Sequence, residues 1–169
     1  DYLLFTGSLK DAKSEWNGCV GLLRRESEGW AVLPPLLSAD GLNNEQERPH
    51  VVFHAGRYYL FWSTQRKVFA PGVPNGPNGL YGMVAERKEG TWLPLNGSGL
   101  VAGNQEEATV QTYSWWVTHE LTVHGFVDYP NSLKGNDHGD AAWRRAHCAG
   151  VPAPVFRLTL DGTRAEVAA

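Results

Sequence analysis

Short runs of β-branched and aromatic residues, each bounded by Gly, Pro, Asn or Asp, are the feature that most constrains this chain. Such runs are typical of strands, and helical periodicity is nearly absent. The 19 glycines and 10 prolines would break most candidate helices. The sequence therefore predicts an all-β protein, whose strands are expected at Tyr2–Thr6, Cys19–Leu23, Trp30–Leu33, Val51–His54, Arg57–Ser63, Leu80–Glu86, Gln111–Thr118, Glu120–Val127 and Val155–Leu160.

The connections between these runs narrow the architecture only in part. His54–Arg57 reads as a two-residue turn between strands, and Asp161–Gly162 is a second hairpin signal. Two long irregular loops, Arg66–Gly79 and Tyr129–His147, are of a length that is usually functional or disordered. A sandwich, a barrel and a propeller all remain open at this point.

Size and charge exclude some classes of protein. With 169 residues the chain is one ordinary domain or part of a larger one. The formal net charge of -3 argues against a nucleic-acid surface. The one basic cluster, Trp143–His147, is interpreted as a solvated loop. No apolar run approaches the roughly 18–20 residues of a membrane helix, so no membrane association is expected.

Cysteine and histidine positions predict no cofactor. Cys19 and Cys148 lie far apart, and either a disulfide or two buried thiols would fit. The six histidines have no spacing typical of metal ligands, so no metal site is predicted. The chain opens directly on a strand-like run, without a recognisable signal peptide, which favours a fragment of a longer protein.

The stretch Asn43–Thr64 places polar groups directly before two apolar strands. In an extended segment the side chains of Glu45 and Glu47 point to the same side. Pro49 is expected to hold Arg48 in an extended conformation, so that the chain enters the strand in a defined direction. The stretch can be an ordinary solvated loop, or a site where paired acids and a neighbouring arginine perform acid–base chemistry.

Aromatic residues suggest a class of ligand. The chain has seven Trp, six Tyr and six Phe, and Thr112–Trp116 reads TYSWW. Alternation places Trp115 and Trp116 on opposite faces of a strand, so that one packs inward while the other lines a surface. Aromatic rings beside carboxylates are a common way of holding sugars.

Several segments together resemble one enzyme family. In the order of the chain they are similar to the C-terminal half of bacterial levansucrases, the fructosyltransferases of glycoside hydrolase family 68, and most similar to the Gram-negative branch. The flanking strands YLLFTGS and Pro152–Gly162 resemble the same enzymes, and the likeness is weakest across Asn131–Ala149. The segments are NNEQERPHVVFHAGRYYLFWSTQ, GPNGLYGMVAE, LPLNGSGLVAGN and QTYSWWV.

This resemblance implies a fold and an activity. The fold would be a five-bladed β-propeller with a central funnel that binds sucrose, and residues 1–169 would form a single C-terminal portion of that catalytic domain. Family members cleave sucrose with retention through a covalent fructosyl intermediate on an Asp, and pass the fructosyl group to water, sucrose or a growing β-2,6-fructan. Sucrose and fructan acceptors would be the partners. The location would be extracellular or periplasmic.

The resemblance also implies roles for individual residues. Glu47 occupies the position of the general acid/base. Glu45 matches a position that holds substrate near the glucosyl and acceptor subsites, and Tyr113 matches a position that contacts sucrose. Gln65 stands where relatives carry a His or Arg that influences transfer and polymer length. Arg48 is counted among the substrate-binding residues and is expected to orient Glu47 by an ion pair or hydrogen bond.

Two family motifs are absent. The nucleophile of the family lies in a Trp-Asp motif and the stabilising aspartate in an Arg-Asp-Pro motif, and neither motif occurs in this sequence. Asp1, Asp11 and Asp40 match neither context. We therefore expect this chain alone to be inactive on sucrose and poorly soluble. Three alternatives stay open: an inulosucrase, a sucrose hydrolase of a related propeller family, or a non-catalytic carbohydrate-binding relic.

Overall fold

The computed structural model describes residues 1–74, 76–106, 108, 110–130 and 150–168. These residues form twelve strands and one short 3-10 turn, Arg66–Val68, and include no α-helix, which confirms the all-β prediction. The strands are β1 (Tyr2–Ser8), β2 (Gly18–Glu26), β3 (Gly29–Ser38), β4 (Glu47–His54), β5 (Arg57–Thr64), β6 (Gly79–Ala85), β7 (Leu93–Pro94), β8 (Leu100–Gly103), β9 (Val110–Val117), β10 (Thr122–Pro130), β11 (Phe156–Asp161) and β12 (Arg164–Val167).

The strands form three consecutive antiparallel sheets. The first sheet has the order β1-β2-β3, the second β4-β5-β6-β7 with β8 also paired to β6, and the third β12-β11-β10-β9. The first strands of successive sheets pack against one another, β1 on β4 and β4 on β9. Meandering sheets that meet through their first strands are arranged as neighbouring blades of a β-propeller. The structure thus agrees with an incomplete propeller.

The core lies on both faces of the second sheet. Along β5, Tyr59 and Phe61 belong to the cluster shared with the third sheet, whereas Leu60 and Trp62 belong to a separate cluster shared with the first sheet. All four are buried. This alternation follows from the period of two in a strand. Because β5 is covered on both sides, its sequence is a continuous apolar run.

Both predicted turns are present, while three short strands were not predicted. Ala55 and Gly56 form the two-residue loop between β4 and β5, with φ of 47° and 79°. Gly162 and Thr163 connect β11 to β12. The strands β7, β8 and β12 have two to four residues each and lack a run of β-branched or aromatic side chains, so composition alone does not reveal them.

The first long loop is anchored to the segment before β4. Phe69 forms an isolated β-bridge with Asn43, and the backbone N–H of Ala70 donates to the carbonyl of Leu42 at 2.8 Å. The second long loop lies outside the described residues from position 131 to 149, together with the basic cluster Trp143–His147 and Cys148. Cys19 is a buried free cysteine. Within the described part of the chain, no helix is long and apolar enough to cross a membrane.

Candidate active site

The loop before β4 is held in place by a buried asparagine. The side chain of Asn43 donates from Nδ2 to Oγ1 of Thr64 at 3.0 Å. Its Oδ1 accepts from the backbone N–H of Glu45 at 2.7 Å and from Nε2 of Gln46 at 2.9 Å. These bonds tie the loop to the end of β5. The acidic side chains of the loop are therefore attached to a fixed backbone and not to a solvated loop tip.

Glu45 and Glu47 share the more open side of this segment. Both side chains are half-buried, whereas Gln46 between them is only 1% exposed. This pattern agrees with the alternation expected from the sequence. Glu47 is the first residue of β4 and lies opposite Ser63 of β5 in the sheet register.

Glu47 has a specific partner on the neighbouring sheet. The phenolic hydroxyl of Tyr113 in β9 donates a hydrogen bond to Oε2 of Glu47. Tyr113 is itself buried and packs edge-on against Trp115, with ring centroids 6.0 Å apart. The structure thus joins two residues that the sequence separates by 66 positions. A neutral donor aimed at a carboxylate orients that carboxylate without adding a competing charge.

The backbone at Arg48 is not extended, and the expectation that Pro49 would make it so is wrong. Arg48 has φ of 50°, in the left-handed region. Between Glu47 and His50 the register shifts, so that β4 gains one residue relative to β5. This is a β-bulge, and Pro49, which has no N–H to donate, is compatible with such a position. The bulge redirects the start of the strand next to Glu47.

Arg48 has different partners from the one the sequence suggested. Its Nη1 donates to the carbonyl oxygen of Ser114 at 2.6 Å and to the Ser114 hydroxyl at 2.9 Å. Its guanidinium also lies 5.7 Å from the ring centroid of Trp116. No ion pair between Arg48 and Glu47 is found in the described part of the chain. The residue that contacts Glu47 is Tyr113.

Ser114 is itself a second irregular position. Its φ is 54°, and the register of β9 against β10 shifts at this point. Two non-glycine residues in the left-handed region, Arg48 and Ser114, thus follow Glu47 and Tyr113 directly and are hydrogen-bonded to each other. Left-handed backbone at such residues costs on the order of 1 kcal/mol each, and it concentrates at functional sites. The two bulges fix the directions of the two functional side chains.

His50 joins β4 to β9. Its Nε2 accepts from the backbone N–H of Val117 at 2.9 Å, and its Nδ1 lies 2.8 Å from the carbonyl oxygen of Arg48. These partners require the neutral tautomer with the proton on Nδ1. The pKa of His50 is lowered from 6.5 to about 4, chiefly because the ring is buried; the bond to the Arg48 carbonyl opposes this shift, and the charge of Arg48 contributes to it.

The two neighbouring tryptophans lie on opposite faces of β9, as predicted. Trp115 is 3% exposed and belongs to the core between the second and third sheets. Trp116 is 42% exposed and stacks on the ring of His50 at 4.2 Å. An indole ring held by stacking, with an open surface, can pack against the apolar face of a sugar.

Gln65 lies at the same end of the second sheet as Glu47. It follows β5 directly, is half-buried, and precedes the 3-10 turn. Its neighbour Arg66 pairs with Glu106 and donates from its backbone N–H to Oδ1 of Asn78 at 2.8 Å. A small pocket of about 180 Å³ opens here, lined by Arg66, Pro77, Asn78, Asn104, Glu106 and Gln111. The rim beside Gln65 is therefore polar.

A larger cavity lies away from this site. It measures about 630 Å³ and is lined by residues such as Arg57, Arg87 and Gly162. Arg57 begins β5 and Thr64 ends it, so this cavity lies at the opposite end of the second sheet, roughly 20 Å from Glu47 along the strand. A central funnel that needs more blades than this chain contains would not form a closed cavity next to Glu47. Among the described residues no group of three His, Cys, Asp or Glu could hold a metal ion.

Sequence reasoning missed Asn43, Ser63, Ser114 and His50. All four act through hydrogen bonds to backbone, or to residues far away in the sequence, so no local spacing marks them. Only His50 carries a signal, since a histidine directly before the apolar run of β4 needs hydrogen-bond partners if it is buried.

Comparison with known proteins gives a consistent result. Residues 6–169 match the protein family described as Levansucrase/Invertase, glycoside hydrolase family 68. The levansucrase LscC of Pseudomonas savastanoi pv. glycinea is 40% identical over 153 residues, which is 89% of this chain and 33% of that protein. This chain thus spans about a third of the length of such curated relatives.

Two solved structures share the fold. An inulosucrase from Halalkalicoccus jeotgali bound to kestose has a TM-score of 0.86 and 38% identity, and the match covers 98% of this chain and 46% of that one. The full-length β-fructofuranosidase from Microbacterium saccharophilum K-1 has a TM-score of 0.73 and 30% identity, over 90% of this chain and 31% of that one. One of these two proteins is an inulosucrase and the other a β-fructofuranosidase.

Proposed function

We propose, since this chain belongs to the levansucrase/invertase family, that it forms part of a fructosyltransferase that cleaves sucrose, with Glu47 as the general acid/base. The hydrogen bond from Tyr113 to Glu47 is the observation that carries this proposal. The carboxyl group of Glu47 is attached to a fixed backbone and accepts a hydrogen bond from an oriented phenol. A solvated loop acid would need none of these contacts.

The proposed reaction has two steps. Glu47 gives its proton to the oxygen that joins the glucosyl and fructosyl units while that C–O bond breaks, and the nucleophile carboxylate forms a bond to the fructosyl carbon. In the second step the Glu47 carboxylate takes a proton from water or from an acceptor hydroxyl, whose oxygen displaces the nucleophile. The stereochemistry at the fructosyl carbon is retained.

The nucleophile is proposed to come from the rest of the protein. The resemblance assigns it to a Trp-Asp motif that these 169 residues do not contain. The curated relatives are about three times as long as the matched segment. A retaining mechanism needs two carboxyl groups roughly 5 Å apart on either side of the scissile bond. We therefore place the second carboxyl group on the part of the propeller that faces Glu47 across the funnel.

Glu45, Gln65 and Arg48 are proposed to shape the substrate site around Glu47. Glu45 leaves the same rigid loop on the same side as Glu47, within the reach expected of a group that holds the glucosyl unit. Gln65 lies on the polar rim, where an acceptor would enter. Arg48 acts on the site through the backbone of Ser114, and Tyr113 both orients Glu47 and faces the substrate.

The proposed product is a β-2,6-fructan, with fructose from the competing transfer to water. Most of the curated relatives that match are levansucrases, including those of Pseudomonas savastanoi and Erwinia amylovora. An inulosucrase is the second candidate, because the neighbour bound to kestose superimposes with a TM-score of 0.86. Linkage analysis of the polymer made from sucrose distinguishes the two products.

Glucose release from sucrose tests the proposed role of Glu47. In the full-length protein, Glu47→Gln should lower kcat on the order of 10²-fold or more, since the leaving group loses its proton donor. Glu86→Gln is the matched control, because Glu86 is exposed and lines the cavity at the opposite end of the second sheet. An unchanged rate for Glu47→Gln would remove the proposal.

A further inference from the structure

Backbone N–H groups on the unpaired edge of β9 donate to side chains of the second sheet. β9 is the edge strand of the third sheet, and among the described strands only β10 pairs with it. A strand edge presents N–H groups that need partners. The N–H of Trp115 donates to Oγ of Ser63 at 3.0 Å, and the N–H of Val117 donates to Nε2 of His50 at 2.9 Å. The second sheet thus docks β9 through side chains.

His50 differs from Ser63 because its side chain is hydrogen-bonded to the backbone of two strands, β4 and β9. While Nε2 accepts from Val117, Nδ1 donates to the carbonyl of Arg48 at 2.8 Å. Arg48 is the bulge residue that directly follows Glu47, and Val117 belongs to the strand that carries Tyr113. A neutral imidazole offers one donor and one acceptor on opposite sides of a rigid ring. One side chain therefore connects the backbone beside Glu47 to the strand of its partner.

The surroundings of His50 keep this bridge in one form. The side chain is buried, stacks on Trp116 at 4.2 Å, and lies 5.7 Å from the ring of Phe61. The charge of the Arg48 guanidinium opposes a second positive charge on the ring. An imidazolium could not accept from the N–H of Val117. The bridge therefore requires the neutral ring that this environment favours.

From this geometry we propose that His50 is a positioning residue for the acid/base step: it holds the bulge at Arg48 against β9 and so keeps Glu47 within reach of the Tyr113 hydroxyl. This inference rests on the proposed function of Glu47. A displacement of about 1 Å in a reacting group can cost about 10²-fold in rate. This role predicts that the loss of His50 slows the step in which Glu47 acts as the acid more than a step that needs no acid.

A pair of substrates separates positioning from general structural damage. Sucrose needs a proton on its leaving group, whereas β-fructofuranosyl fluoride releases fluoride ion without a comparable need for an acid. In the full-length protein, His50→Phe should lower kcat for sucrose about 10-fold to 100-fold. It should change the first-turnover rate of fluoride release, which precedes the base-assisted second step, by less than about 3-fold. Equal losses on both substrates, or no loss on sucrose, would overturn the inference.

Two conservative variants report on the separate bonds and keep the test valid if His50→Phe does not fold. His50→Gln offers an acceptor to the N–H of Val117, and His50→Asn offers a donor to the carbonyl of Arg48. Each variant should have a higher kcat for sucrose than His50→Phe. If His50→Phe does not fold, each should still have a kcat for sucrose less than about 10-fold below that of the native protein. His119→Gln is the control, since the His119 side chain is 85% exposed; it should leave both rates unchanged.

The same two substrates separate this inference from the function on which it rests. If Glu47→Gln cleaves sucrose at the unchanged rate, the proposed function fails, whatever the His50 variants do. If Glu47→Gln loses sucrose cleavage selectively while the His50 variants lose both rates or neither, only the positioning role of His50 is overturned.

Discussion

The hydroxyl of Tyr113 donates to the carboxylate of Glu47 across the boundary between two sheets. Neither residue is held by its own strand alone. Glu47 precedes a bulge at Arg48, Tyr113 precedes a bulge at Ser114, and the two bulge residues are hydrogen-bonded to each other. The pair is therefore fixed by contacts between blades, and changes at this boundary should alter activity.

Removal of the phenolic hydroxyl should weaken catalysis. In the full-length protein, Tyr113→Phe keeps the buried ring but loses the bond to Glu47, and kcat/KM for sucrose should fall about 10-fold to 100-fold, the range for a hydrogen bond to a charged group. Tyr58→Phe is the control, because Tyr58 packs against Phe53 at the far end of the sheet. Equal rates for Tyr113→Phe and the native protein would contradict the orienting role.

Stability should depend on pH through His50. Its pKa is about 4 in the folded protein and 6.5 in the unfolded chain. Between these values the unfolded chain binds a proton that the folded protein excludes. The stability present above pH 6.5 is thus lost as the pH falls towards 4, by up to about 3 kcal/mol.

Urea unfolding of the full-length protein between pH 4 and 7 measures this loss. His50→Gln should flatten the pH dependence, because glutamine does not titrate, whereas the exposed control His119→Gln should leave it unchanged. A pH dependence that stays the same in His50→Gln would show that other groups are responsible.

The turn between β4 and β5 offers a stabilising substitution away from the site. Ala55 has φ of 47° and is exposed, and with Gly56 it forms the kind of two-residue loop in which both φ values are positive. Asparagine tolerates this backbone better than alanine, so Ala55→Asn should raise the free energy of unfolding by about 0.5–1 kcal/mol. Ala55→Val should lower it. Urea midpoints at an unchanged m-value measure both effects, and a lower midpoint for Ala55→Asn would contradict this turn geometry.

The 169-residue chain alone should be inactive and should associate. It offers Glu47 but no counterpart of the family nucleophile, so glucose release from sucrose should be absent. Its first and third sheets expose large apolar side chains, which favours self-association. These are Leu3, Phe5, Trp30 and Val32 on the first sheet and Trp116 and Val167 on the third, with Val155 directly before β11. Sedimentation and glucose assays check both points; a monomer that cleaves sucrose would contradict them.

Local patterns predicted most of the strands but not the contacts between sheets. The strand β5 and the Ala55–Gly56 turn are predictable from the sequence because each is determined by residues close together in the chain. The left-handed backbone at Arg48 is not, since its cost is offset by Ser114, 66 positions away. The same applies to His50, whose partner Val117 lies on another sheet. The candidate acid was identifiable through resemblance, while its orientation depends on tertiary contacts.

Azide rescue of Glu47→Ala in the full-length protein is the most direct test of the central claim. With β-fructofuranosyl fluoride the first step needs no acid, so the covalent intermediate should accumulate in this variant. Azide needs no general base and fits the space left by the carboxylate. Turnover should rise about 10-fold or more with azide and yield β-fructofuranosyl azide, with retained configuration. A rate that is unaffected by azide, or an azide product of inverted configuration, would contradict the assignment of Glu47 as the acid/base.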